Sequence, residues 1–192
     1  MSMHQYTDHK RLMAAYADMN AGRYDAARAA LESLVSEGEM RALLYLGWIY
    51  ERGLGNAVDE QKAANCYRAL CARNDPDACY HAASLMFRRG DTLGALELHV
   101  QAADMGHPSA AYWASAILDG EGGLQPDPQR SARYLKLAAD CGHMFARRDL
   151  AKQQFRAGRG LWEKVLALVK YLSAVLRGFA LLAKNTDDPR VR

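Results

Sequence analysis

The 192-residue chain has little proline, few cysteines and almost no net charge. Its five prolines, together with many alanines and leucines, argue against an all-β fold. Half of the residues are hydrophobic, and a chain of this length can bury a sizeable core, which excludes a disulfide-dependent miniprotein. The first residues, MSMHQYTDHKRLMAA, lack an apolar signal segment. We therefore expect a cytoplasmic location, with reduced thiols.

The net charge of +3 conceals an uneven distribution. Residues 146–192 carry 11 basic and 4 acidic side chains, whereas residues 1–145 carry 14 and 18. An acidic body argues against nucleic acid as a partner, because that affinity comes mostly from Lys and Arg side chains that neutralise phosphates. A basic, apolar C-terminus is better suited to an anionic lipid surface or to an acidic partner.

Helix-terminating residues recur along the chain. Gly38, Asn74, Gly106 and Gly142 are separated by 36, 32 and 36 residues, and Gly and Asn are the usual residues at the left-handed position that ends a helix. An alanine lies four residues after each stop, and another small residue lies five further on. These pairs are Ala42 and Gly47, Ala78 and Ala83, Ala110 and Ser115, and Ala146 and Ala151. The pattern predicts stacked helical hairpins whose backbones pack closely.

The stretch ALLYLGWIYERGLGNAVDEQKAANCYRAL resembles a Sel-1-like repeat, a relative of the tetratricopeptide repeat. The matching residues are Ala42, Leu46, Gly47, Tyr50, Gly53, Gly55, Asp59, Lys62 and Ala63. Residues 110–142 match less fully, and residues 78–106 and 10–38 resemble plain tetratricopeptide hairpins. The resemblance implies an all-α, right-handed α-solenoid in one domain over residues 1–157. It also implies a non-catalytic scaffold or adaptor that binds a protein partner in a concave groove.

The groove geometry of the family, carried over by position, gives a set of expected partner-binding residues. They are Leu44, Trp48, Glu51, Arg52, Tyr80, Ser84, Phe87, Arg88, Tyr112, Asp119, Arg148, Lys152 and Phe155. Aromatic and arginine side chains are enriched at the centres of protein interfaces. The alternative is that Trp48, Phe87 and Tyr112 only pack between helices.

No catalytic, metal or cofactor site is expected. The Gly53-x-Gly55 loop joins two helices, whereas phosphate-binding glycine loops follow a strand. Cys79-x-His81 and Cys141-x-His143 lack the ligand spacing of a structural zinc site. Because His107 and His143 each follow a helix-stopping glycine, we expect them to act in caps or turns.

Cys71 and Cys79 lie eight residues apart across a predicted helix–turn–helix junction. This spacing resembles that of the cysteine-rich secreted branch of the same family, in which it forms disulfides and some members are linked to penicillin binding or β-lactamase activity. A hydrolase of this branch is therefore the alternative function. The corresponding positions of the other units hold Ala103 and Ala111, and Ala139 and Arg147. We expect two free, buried thiols at Cys71 and Cys79.

The sequence after Gly160 departs from the repeat. From Leu161 to Ala183, 17 of 23 residues are apolar, and the polar residues Glu163, Lys170, Arg177 and Lys184 recur every seven. We predict a docking helix over residues 158–184, followed by a disordered tail over 185–192. Its docking residues are Trp162, Leu166, Val169, Lys170, Leu172, Leu176, Arg177, Phe179 and Leu181.

Three fates of this helix stay open: the cytoplasmic membrane surface, a partner protein or a second copy, and the groove of the same chain. A membrane span is the least expected, because Lys170 and Arg177 would lie deep in hydrocarbon.

Overall fold

The computed structural model describes residues 3–157 and 160–184, with side chains for 6–157, 160 and 162–180. Within these ranges all regular structure is helical, and no strand occurs. The helices are α1 (Met3–Asn20), α2 (Tyr24–Ser36), α3 (Ala42–Arg52), α4 (Glu60–Cys71), α5 (Pro76–Arg88), α6 (Thr92–Asp104), α7 (Pro108–Leu118), α8 (Pro128–Asp140), α9 (Met144–Ala157) and α10 (Leu161–Lys184). A short 3₁₀ turn, Glu121–Gly123, precedes α8. The predicted tail at 185–192 lies outside the described residues.

The chain forms two compact units, Met1–Leu85 and Met86–Arg192, and the division falls within α5. In the first unit α1 packs on α2, α2 on α3 and α3 on α4. In the second, α6, α7, α8, α9 and α10 each pack on the next helix in chain order. Packing of each element on its sequence neighbours is typical of helical repeats. The predicted all-α solenoid of helical hairpins is confirmed.

The predicted helix stops have the expected backbone conformation. Gly38, Gly106 and Gly142 have φ values of 96°, 92° and 95°. Asn74 has φ 62° and is the only residue other than glycine with a positive φ in the described part of the chain. A left-handed residue ends one helix and redirects the chain into the next. The regular spacing of these stops therefore sets the length of each hairpin.

The predicted small residues lie in the helix–helix contacts. Ala42, Ala78, Ala110 and Ala146 are completely buried, and so is Ala83. The requirement for a small residue is strongest at Gly47 on α3. A Cβ atom there would lie 2.8 Å from Cδ1 and from Cζ of Tyr67 on α4, and closer still to Cε1. The Tyr67 ring thus packs directly on the α3 backbone.

Helix starts follow a second regular pattern. Asp59, Asp91 and Asp127 cap the second helix of successive hairpins by accepting a hydrogen bond from a backbone N–H three residues later. Nδ1 of His107 accepts from the Ala110 N–H at 3.0 Å, and Nδ1 of His143 accepts from the Ala146 N–H at 3.3 Å. The expected capping role of these two histidines is confirmed.

The expectation of free thiols at Cys71 and Cys79 is wrong in this structure, which joins them in a disulfide. Cys71 ends α4 and Cys79 lies in the first turn of α5, and the turn between them brings their Cα atoms to 4.7 Å. That separation is within the range that a disulfide can bridge. Cys66 and Cys141 are free and half-buried, and burial raises the pKa of the Cys66 thiol to about 11. Cys66 is therefore a poor nucleophile at neutral pH.

Candidate partner-binding surfaces

A cleft of about 560 Å³ lies among α7, α8 and α9 in the second unit. Its lining combines polar, charged and small apolar side chains. The lining residues are Tyr112, Ser115, Ala116, Asp119, Glu121, Pro128, Ser131, Ala132, Leu135, Asp149, Lys152, Gln153 and Arg156. We call this the α7–α9 cleft. Three of the residues expected to bind a partner, Tyr112, Asp119 and Lys152, come together here.

Tyr112 connects two walls of the α7–α9 cleft. Its hydroxyl donates a hydrogen bond to Oδ2 of Asp149 on α9 at 3.1 Å. Its ring stacks on that of His143, with ring centroids 4.4 Å apart. Desolvation by burial, then the Asp149 carboxylate, raises the pKa of Tyr112. The side chain is therefore a neutral phenol at physiological pH, and its half-buried ring both packs between helices and lines the cleft.

Charges of both signs surround Tyr112. Asp119 and Glu121 are exposed where α7 ends, and Lys152 and Arg156 are exposed on α9. Asp149 also forms an ion pair with Arg148, whose Nη2 lies 2.8 Å from Oδ1. Charged groups that remain in contact with water can pair with a ligand at little desolvation cost, and they select for complementary charge. The cleft is thus suited to a polar ligand with charges of both signs.

The other expected residues of the second unit have different surroundings. Arg148 lies over the ring of Phe145, with its guanidinium carbon 5.1 Å from the centroid. Phe87 packs against Trp113 with ring centroids 5.7 Å apart, so its role includes packing between helices. Arg88 and Phe155 are exposed but do not line the cleft.

Apart from two buried serines, sequence reasoning missed four charged or polar residues of the cleft: Glu121, Asp149, Gln153 and Arg156. A signal for three of them was present. Asp149, Gln153 and Arg156 lie four and three residues apart, next to the predicted Lys152, and residues three or four apart share one helix face. Extending the face of Lys152 along α9 reaches Asp149 and Arg156, and Gln153 lies four residues after Asp149.

The expected residues of the first unit divide into exposed and internal ones. Arg52 is exposed and lies over the indole of half-buried Trp48, 5.9 Å from the ring centroid. Glu51 instead accepts a hydrogen bond from the buried Tyr67 hydroxyl at 2.8 Å. Its side chain is only 12% exposed. The half-buried Leu44, Tyr80 and Ser84 complete the set, and the Ser84 hydroxyl donates to the Tyr80 carbonyl of its own helix.

The predicted docking helix is α10, and it packs on α9 through small residues. Ala167, Ala174 and Gly178 are buried, whereas the large apolar side chains on the opposite side are 41–83% exposed. Those side chains, which we call the α10 outer face, are Trp162, Val165, Leu166, Leu168, Val169, Leu172, Leu176 and Phe179. The Leu181 side chain lies outside the described residues. Among the described helices, none combines the length and the apolarity needed to cross a bilayer.

Comparison with known proteins identifies the repeat. The Sel1 repeat family model matches residues 41–75, 76–107 and 108–143. Similar solved structures include a Sel1 repeat protein from Oxalobacter formigenes, 23% identical, with a TM-score of 0.74 over 89% of this chain and 73% of that chain. Another is c5321, a protective antigen of uropathogenic Escherichia coli with an SLR fold, which is 19% identical. Its TM-score is 0.65 over 83% of this chain and 37% of that chain.

MamA also has a similar structure. It is 16% identical and has a TM-score of 0.56 over 89% of this chain and 97% of that chain. No curated protein matches the sequence significantly. At these identities the solved structures establish a shared fold.

Proposed function

Because the chain belongs to the Sel1 repeat family, whose members are typically protein–protein interaction scaffolds, we propose that it is a non-catalytic scaffold that binds a segment of a protein partner. The observation that carries the proposal is the α7–α9 cleft, where Tyr112 lies between acidic and basic side chains. An extended peptide offers backbone groups to the Tyr112 hydroxyl and to the exposed carboxylates and cations around it. We propose a partner segment that carries both acidic and basic residues.

The exposed Arg52 and the half-buried Trp48 of the first unit form a second proposed contact. An arginine over an indole offers a planar, cationic surface. Tryptophan and arginine are both enriched among the interface residues whose truncation weakens binding most. Glu51 is not part of this contact, because its carboxylate is bound by the buried Tyr67 hydroxyl. The α10 outer face is the third proposed docking surface.

Charge reversal in the cleft tests the proposal. The variant Lys152→Glu/Arg156→Glu inverts two cleft cations, and Lys136→Glu/Arg133→Glu inverts two exposed cations of α8 that do not line the cleft. Partners are captured by affinity purification from the native host and quantified by mass spectrometry. We expect the cleft variant to lose a partner by at least about tenfold and the α8 variant to retain it. Equal recovery with both variants would contradict a role for the cleft.

One observation favours a second function. The Cys71–Cys79 disulfide matches the pattern of the cysteine-rich branch, and a hydrolase acting on β-lactams is therefore the alternative. Nitrocefin turnover by the oxidised protein tests it directly. Turnover above the rate in buffer alone would replace the scaffold proposal. An absence of turnover would exclude the hydrolase alternative.

We propose a cytoplasmic location, and the disulfide is the observation that opposes it, because cytoplasmic thiols are kept reduced. Alkylation of the unfolded protein immediately after cell lysis counts the thiols that were free in the cell. Four modified cysteines support the cytoplasm. Modification of only two cysteines, Cys66 and Cys141, would indicate an oxidising compartment and overturn this part of the proposal.

A further inference from the structure

The α10 outer face has the spacing of a helix–helix contact surface. Trp162, Val165, Val169, Leu172, Leu176 and Phe179 follow one another at intervals of three and four residues. This alternation places them along one stripe of the helix, in the pattern of the a and d positions of a coiled coil. Leu166 and Leu168 flank the stripe and widen it.

The helix that α10 already contacts lies on the other side. Ala167, Ala174 and Gly178, which are buried against α9, lie roughly opposite the stripe at 100° per residue. The stripe therefore faces away from α9. Each of the eight large apolar residues of the α10 outer face remains at least 41% exposed, and Trp162 is 83% exposed.

The area of the α10 outer face is comparable to what each partner buries in a stable dimer. From the exposed fractions and about 150–250 Å² for each fully exposed residue, the eight residues present roughly 700–1,200 Å² of surface. The largest apolar patch on a monomer is normally about 300–600 Å², and a standard protein interface buries about 800 Å² on each partner. We propose that the α10 outer face of a second copy of this chain covers this surface, in a two-fold symmetric pair.

The distribution of charge favours a second copy over an anionic membrane. None of the eight outer-face residues is charged, so a contact between two outer faces is apolar at its centre. A helix that lies in a membrane surface presents basic residues towards the headgroups. Here Lys170 and Arg177 line a cleft between α9 and α10, and Nζ of Lys170 donates to Oε1 of Gln154 on α9 at 3.2 Å. These two cations therefore lie on the side of α10 that borders α9, outside the outer face.

Sedimentation velocity of the full chain over a range of concentrations tests the pairing. We expect the wild type to associate reversibly to twice its mass of 21.3 kDa. Leu172→Glu/Leu176→Glu places two carboxylates in the stripe, and by symmetry each substitution occurs twice in the pair. We expect the dissociation constant to rise at least about 100-fold. Lys164→Glu is the matched control, because it alters the net charge equally at an exposed position of α10 outside the outer face, and we expect it to leave association unchanged.

Circular dichroism of the monomeric variant shows whether α10 still folds, since exposed substitutions should preserve helix content. A wild type that stays monomeric at all concentrations would overturn the proposal. So would equal weakening by Lys164→Glu. Vesicles of phosphatidylglycerol and phosphatidylethanolamine form the second arm. Wild-type binding to these vesicles that Leu172→Glu/Leu176→Glu abolishes, without a dimer in solution, would assign the face to a membrane. The sedimentation and vesicle experiments do not depend on partner binding in the α7–α9 cleft, so the dimer proposal and the cleft proposal can each fail without the other.

Discussion

Replacing Gly47 by alanine is the sharpest test of how the hairpins pack. Two effects of opposite sign compete at this position. Alanine improves helix propensity by about 1 kcal/mol relative to glycine. Its methyl group would also overlap the Tyr67 ring, with Cδ1 and Cζ both at 2.8 Å. Overlap in a packed core costs about 1–3 kcal/mol.

The Tyr67 ring has little freedom to move away from the added methyl group. It is completely buried, and its hydroxyl donates to Oε2 of Glu51 at 2.8 Å. The ring also stacks on that of His81, with ring centroids 5.0 Å apart. A shift of the ring therefore weakens a buried hydrogen bond to a carboxylate, which adds about 1.5–3 kcal/mol. We expect Gly47→Ala to lower the free energy of unfolding by about 2 kcal/mol, and Tm by roughly 4–8 °C.

Urea denaturation followed by circular dichroism measures the change, and Gly178→Ala is the matched control. Gly178 is also a buried helix residue, but the atoms near its added Cβ belong to the flexible end of the Met144 side chain, with Sδ at 2.9 Å. A thioether end moves at little cost, so this variant should be no less stable than the wild type. In the double variant Gly47→Ala/Tyr67→Leu, the two losses should be less than additive. A Gly47→Ala protein as stable as the wild type would refute this account of the α3–α4 contact.

Three further predictions follow from buried groups. Desolvation by burial lowers the pKa of His99 to about 3. The unfolded chain therefore binds one more proton than the folded chain as the pH falls below about 6.5, which destabilises the folded state. Between pH 7 and pH 5, urea titrations should show that the wild type loses about 2 kcal/mol more stability than His99→Gln. His107→Ala should lose about 1 kcal/mol by removing the α7 cap, and His107→Asn should retain most of it; equal losses would contradict the capping role. Cys71→Ala should be roughly 2–3 kcal/mol less stable than the wild type without reductant, and that difference should vanish in dithiothreitol.

The hairpin pattern could be predicted because it depends on local backbone and packing requirements. A left-handed residue is required wherever a helix ends sharply, which is why Gly38, Asn74, Gly106 and Gly142 mark the repeats. A residue such as Ala110 has no exposed surface, so a larger side chain there would have to displace atoms of neighbouring residues. Such requirements act on single residue types at fixed spacings, and they are therefore visible in one sequence.

Pairings between side chains on different helices were harder to predict. Glu51 was expected on a binding surface, but the hydroxyl of Tyr67, 16 residues further on, binds its carboxylate. Asp149 was not expected at all, and it accepts from Tyr112, which lies 37 residues earlier. The redox state of Cys71 and Cys79 depends on a separation in space and on the compartment, and neither follows from a spacing of eight residues.

The C-terminal helix shows that the sequence pattern does not by itself separate the side that packs on the protein from the side that stays exposed. Glu163, Lys170 and Arg177 formed a polar stripe in the sequence, and Lys170 and Arg177 were included with the apolar residues in the expected docking set. At 100° per residue these three residues lie within roughly 80° of the Ala167 and Ala174 contact with α9. The charged stripe therefore borders the side of α10 that the protein itself covers. The large apolar residues are concentrated on the opposite side, where at least 41% of each residue is exposed. An apolar face of this size is costly to expose to water, and association would cover it. The area and the lack of charge of the α10 outer face favour a second copy of this chain as the partner.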